Sequence, residues 1–61
     1  MFGEKIRTNR IKNIMSQKQH AELQNVTPQT ISKWENDLSE PGFQMITKMT
    51  NTFHISHDEF Y

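Results

Sequence analysis

The sequence predicts an all-α fold: a compact bundle of five short helices forming a single domain over residues 1–61. Three observations carry that expectation. Apolar residues recur at i, i+3 and i+4 rather than in alternation. Helix-start signals stand at Ser16, at Thr27-Pro28 and at Ser56. No stretch reads as a convincing strand. Length sets the scale: 61 residues make at most one small domain. A chain this short buries only about 60% of its unfolded surface, so its stability should be marginal.

Residues 3–14 read as the first helix, because Phe2, Ile6, Arg10 and Ile14 fall on one helical face at successive i+4 steps. Ser16 is a good N-cap for a second helix, Gln17 to Gln24, and Asn25 suits the left-handed residue that ends it. Thr27 caps a third helix. Pro28 takes its first position, where no N–H is needed. That helix runs to about Glu35, with Ile31, Trp34 and Glu35 on its inner face. Residues 36–42 (NDLSEPG) form a loop. The fourth helix covers about Phe43 to Phe53, with Phe43, Ile46, Met49 and Phe53 as its apolar stripe, Met45 and Thr50 beside it, and His54 closing it. Ser56 and Glu59 have capping-box spacing, which predicts a last helical turn over His57 to Phe60.

The chain has no cysteine, which excludes disulfides and thiolate zinc sites and fits a reducing, cytoplasmic setting. No apolar run approaches the roughly 20 residues of a membrane span, and the N-terminus MFGEKIRTNR lacks the apolar region of a signal peptide. Net charge is zero, but its distribution is uneven. Lys5, Arg7, Arg10, Lys12 and Lys18 crowd the first third, while Glu35, Asp37, Glu40, Asp58 and Glu59 lie in the last half. This pattern fits a molecule with one basic and one acidic side, and equally fits ordinary solvated faces.

Two charges sit on apolar faces, Arg10 on the first helix and Glu35 on the third. A lone buried charge is very costly, whereas a well hydrogen-bonded pair is tolerable. The expectation is that Arg10 and Glu35 form a structural ion pair tying helix one to helix three. The alternative is that both snorkel to water. The second and third helices have the spacing of two short helices joined by a three- or four-residue turn. Ala21 is small at the crossing, Asn25 stands at the turn, Val26 follows as an apolar plug, and Ile31 and Trp34 are inward anchors. That spacing matches a helix-turn-helix, whose second helix enters the DNA major groove, and equally a generic helical hairpin.

The residues S16-Q17, A21, N25-V26-T27 and T30-I31-S32-K33-W34-E35-N36, in that order and spacing, resemble the helix-turn-helix domain of phage repressors and Cro-type regulators (the XRE family). The opening FGEKIRTNR, the S39-E40-P41 stretch with F43, I46 and M49, and the ending F53-H-I55-S56-x-D58-E59-F60 are similar to the family's remaining elements. Nearly the whole chain is covered. Three positions depart from the pattern. His20 and Gln24 replace apolar residues of the second helix, which should loosen its packing. Asn25 stands in place of the usual turn glycine. Asn9 stands where the first helix often has leucine.

The resemblance implies a lambda-repressor-like bundle that binds double-stranded DNA sequence-specifically, with helix three in the major groove, and acts as a transcriptional repressor. Base contacts would come from Thr27, Pro28, Gln29, Ser32 and Lys33. Gln29 is the strongest reader, because glutamine pairs bidentately with adenine. Phosphate contacts would come from Ser16, Gln17 and Lys18 at the start of helix two, and from Thr30, Asn36 and Ser39 on the other flank. Useful specificity from so small a unit would need a homodimer on palindromic half-sites about one helical turn apart. Phe53, Ile55, Phe60 and Tyr61 either supply a dimer contact or, the favoured reading, close the core. The abrupt end after Tyr61 suits the N-terminal domain of a longer regulator.

The rival expectation is a protein-interaction, antitoxin or adaptor module that reuses the fold, supported by the zero net charge and the acidic second half. No cofactor, metal or catalytic role is expected. His54, His57 and Asp58 lack the spacing to share a metal, no nucleophile–base set or phosphate loop is present, and the methionines at helical spacing are core filler.

Overall fold

The computed structural model describes residues 2–60. In chain order it contains α1 (Phe2–Lys12), α2 (Gln17–Gln24), α3 (Pro28–Glu35), α4 (Phe43–Phe53) and a closing 3-10 turn (His57–Phe60). Among these residues all regular structure is helical, and no helix is long and apolar enough to cross a membrane.

The caps form as the residue types dictate. Ser16 Oγ accepts the Gln19 N–H at 3.0 Å, while Gln19 Oε1 accepts the Ser16 N–H at 2.8 Å, a reciprocal capping box at the start of α2. Asn25 ends that helix at φ 61, and the Val26 N–H turns back onto the Ala21 carbonyl at 3.0 Å. A left-handed residue here satisfies carbonyls that would otherwise be orphaned, and asparagine tolerates the conformation better than most residues. Thr27 Oγ1 accepts the Thr30 N–H at 3.2 Å, and Pro28 holds the first position of α3. His54, at φ 58, closes α4.

The core draws on every element: Ile6 from α1, Ala21 from α2, Ile31 and Trp34 from α3, Ile46, Met49 and Phe53 from α4, and Phe60 from the closing turn. Met15, Met45, Val26 and Ile55 pack around it half-buried. α1 lies on α3, α2 lies on both α3 and α4, and the closing turn bridges α1 to α4, where Phe2 and Phe60 stack with ring centroids 5.8 Å apart. Phe53 and Phe60 therefore close the core, with Ile55 against it. Tyr61, grouped with them on sequence, lies outside the described residues.

Two residues placed on apolar faces by periodicity are not there. Ile14 is 90% exposed, because α1 stops at Lys12. The Met15 N–H bonds to the Arg10 carbonyl at 3.1 Å and Arg10 Nη1 donates to the Met15 carbonyl at 2.8 Å, which folds the chain back and forces Ile14 to φ 55. Phe43 is 70% exposed. It starts α4 one turn before Ile46, beyond the packed stripe, and its ring stacks on His57 at 5.6 Å.

Gly3 is where α1 meets the end of α3 most closely. A Cβ there would stand 2.5 Å from the Trp34 carbonyl oxygen and 2.7 Å from the Glu35 carbonyl carbon, with the Glu35 oxygen closer still. The Gly3 N–H donates to Asp37 Oδ1 at 3.0 Å, pinning the same approach. Backbone atoms cannot swing aside as a side-chain tip can. Gly3→Ala is therefore expected to lower stability by about 1–3 kcal/mol, read as a drop in the urea midpoint of far-UV circular dichroism. Gly42→Ala is the control, since a Cβ there meets nothing within 4 Å. Equal midpoints for the two variants would show that the α1–α3 approach is not tight.

Candidate nucleic-acid interface

Recognition by a short helix requires one face to be held while the other is presented. The held face of α3 consists of Ile31, Trp34 and Glu35, all buried. Glu35 is the hub. Its carboxylate accepts Arg10 Nε at 2.6 Å and Arg10 Nη2 at 3.2 Å, Gln17 Nε2 at 3.1 Å and Arg7 Nε at 3.4 Å. The expected Arg10–Glu35 pair is thus formed and joins α1 to α3 as a two-pronged contact. Burial alone pushes the Glu35 carboxyl up. The donors from Arg10, Gln17 and Arg7 outweigh it and hold the group below its usual 4.5.

The sequence places Arg7 in the basic first third but does not pair it with Glu35. The available signal is its position three residues before Arg10, which puts the two guanidinium groups on one side of α1. Asp37, read on sequence only as one of the acidic residues, also has a specific partner. It follows the end of α3 at φ 59 and receives the Gly3 N–H.

The presented face of α3 begins at the three-residue turn, Asn25 to Thr27. Thr27, Pro28, Gln29 and Lys33 are exposed, and Ser32 is half-buried. Gln29 and Lys33 are one helical turn apart and so project side by side. Thr30 and Asn36 are partly engaged within the helix. Thr30 Oγ1 lies 3.0 Å from Thr27 Oγ1, and Asn36 Nδ2 donates to the Ser32 carbonyl at 2.8 Å, with Ser32 Oγ at 3.4 Å.

At the start of α2, Ser16 and Lys18 are exposed, while the Gln17 amide is turned inward to Glu35. What Gln17 retains for an anion is its place in the first helical turn, where backbone N–H groups lack intrahelical acceptors. The Gln17–Glu35 bond links the N-terminus of α2 to the end of α3. Ser39 is exposed in the loop after α3.

The three departures from the family pattern resolve differently. Asn25 takes the left-handed turn at φ 61. Asn9 is buried on α1, with Nδ2 donating to the Lys5 carbonyl at 2.9 Å, so its polar end is satisfied within its own helix. His20 and Gln24 are fully buried, as the apolar residues they replace would be. Both His20 ring nitrogens and Gln24 Oε1 have no hydrogen-bond partner.

Comparison with known proteins agrees with this geometry. A family model described as helix-turn-helix matches residues 6–60. A curated Bacillus subtilis (strain 168) protein, an SPbeta prophage-derived uncharacterized HTH-type transcriptional regulator called YonR, is 33% identical over 58 residues. That match covers 95% of this chain and 54% of the relative, so the chain spans about half the relative's length. No solved structure matches. The two helices packed about a three-residue turn, the anchored inner face of the second, and a family match over nearly the whole chain lead to one conclusion: the chain belongs to the XRE-type helix-turn-helix family.

Proposed function

We propose that this chain is a sequence-specific double-stranded DNA-binding domain of a transcriptional regulator, acting as a repressor, with α3 inserted in the major groove. The observation that carries the reading is the division of α3. Trp34, Ile31 and Glu35 are fixed inward, and Gln29 and Lys33 are left exposed side by side at the helix's outer face. Gln29 reads adenine and Lys33 reads guanine or a phosphate. Thr27, Pro28 and Ser32 complete the base-facing set. Ser16, Gln17, Lys18, Thr30, Asn36 and Ser39 position the domain on phosphates, Gln17 through its backbone N–H. A homodimer on a palindromic operator supplies the remaining specificity.

Selection from random double-stranded DNA at low salt tests this reading. The expected result is an enriched half-site, and Gln29→Ala should relax one position of it, losing roughly 1–3 kcal/mol of discrimination with the circular dichroism spectrum unchanged. With few phosphates neutralised, the salt dependence of binding should be shallow for a DNA binder. A second reading, a protein-interaction, antitoxin or adaptor module, is favoured by the zero net charge and by the exposed Leu38 and Phe43 around the loop after α3. It becomes the better one if no motif is enriched even with an artificially dimerised chain.

A further inference from the structure

His20 lies on the face of α2 that packs on α3 and α4. It is 0% exposed, and its ring meets Phe53 of α4 at 5.0 Å between centroids. Both ring nitrogens lack a hydrogen-bond partner, and four residues on, Gln24 Oε1 is also buried without one. Gln24 is held only on its amide side, where Nε2 donates to Thr52 Oγ1 of α4 at 3.2 Å. The α2–α4 contact is therefore built around a neutral imidazole with nothing to receive a second N–H. An imidazolium needs two acceptors and a counter-charge, or water. The charges acting on the ring are Glu35 of α3, which favours the proton, and Arg10 of α1, which opposes it. Glu35 is already committed to Arg10, Arg7 and Gln17.

We propose that His20 is an acid-sensitive latch on the α2–α4 contact. While it is neutral the helix-turn-helix is held closed. When it takes a proton, α2 must leave α4 so that the ring reaches water, and the two-helix unit loses its support. The latch belongs to the fold and needs no DNA contact.

The direction of the pH effect follows from linkage. Burial first of all, and Arg10 with it, lower the folded-state pKa of His20 from 6.5 to about 4, against the opposing pull of Glu35. The unfolded chain therefore binds the proton more readily. The stability His20 contributes is complete above pH 6.5 and drains away as pH falls towards 4. Glu35, held below 4.5, begins to lose its contribution only as pH falls through 4.5, so the span from pH 7 down to 4.5 reports mainly on His20.

Two measurements on the whole chain decide the matter. In the first, the folding equilibrium constant is followed from pH 7 to pH 4.5 by urea unfolding. It should fall on the order of 50-fold in the native sequence and stay nearly flat in His20→Leu, while His57→Gln should behave like the native chain. In the second, the His20 ring proton is titrated by NMR in the native chain, which needs no variant to fold. Loss of the folded-state signals before the ring titrates supports the latch. A folded-state His20 titrating near 6.5 overturns it, as does an unchanged pH dependence in His20→Leu.

Discussion

Trp34→Ala should leave this domain unfolded under ordinary conditions. Truncating a buried tryptophan costs roughly 3–5 kcal/mol. Trp34 is 6% exposed and lies where α1, α3 and the core meet, with its own carbonyl under Gly3. The whole stability of a 61-residue domain is on the order of 3–9 kcal/mol at 0.05–0.15 kcal/mol per residue, so one truncation consumes most of it. The check is a thermal scan by circular dichroism, in which the native chain shows a cooperative transition and the variant shows none or a much lower one. If the variant kept its transition and lost only DNA affinity, Trp34 would belong to the presented face of α3 and the division proposed for that helix would be wrong.

Glu35→Ala is expected to have a comparable effect for a different reason. The substitution leaves Arg10, only 13% exposed in its side chain, and the Gln17 amide without their acceptor. Breaking a buried pair from one side costs roughly 3–5 kcal/mol, whereas replacing both partners by apolar residues of similar volume is often neutral. Glu35→Ala should therefore shift the urea midpoint strongly, and the double variant Arg10→Met, Glu35→Leu should recover most of it. Recovery that failed would point to Arg10's second role, its Nη1 bond to the Met15 carbonyl that closes α1, as the larger part of the effect.

Much of this arrangement was legible in the sequence, and the reasons are specific. Ser16, Asn25, Thr27 and Pro28 act within a few residues of themselves, so their local chemistry fixed the boundaries of α2 and α3 before any tertiary contact was known. Arg10 and Glu35 were readable as partners because each stood out on an apolar face, and an unpaired buried charge is too costly to be the alternative. Ile14 and Phe43 misled because periodicity reports which side of an ideal helix a residue occupies, not where the helix ends or how far its neighbours extend. Arg7, Gln17 and Asp37 were hidden for another reason. Polar residues on a helix or just past its end look solvated until the fold brings an acceptor or donor within reach. The outward face of α3 was legible only as a remainder, as what is left once Ile31, Trp34 and Glu35 are turned in.

The Glu35 hub has a further consequence for how the molecule presents itself to a polyanion. The chain carries seven Lys and Arg, but folding draws both arginines onto one carboxylate, leaving the five lysines as the unpaired strong cations of the described residues. An extended chain offers every one of its positive groups to any strand of phosphates, whatever its sequence. The folded chain has drawn Arg10 into its interior and holds the half-exposed Arg7 against the same carboxylate. Folding thus removes one guanidinium from open solvent and partly neutralises the other, lowering the charge available for indiscriminate attraction.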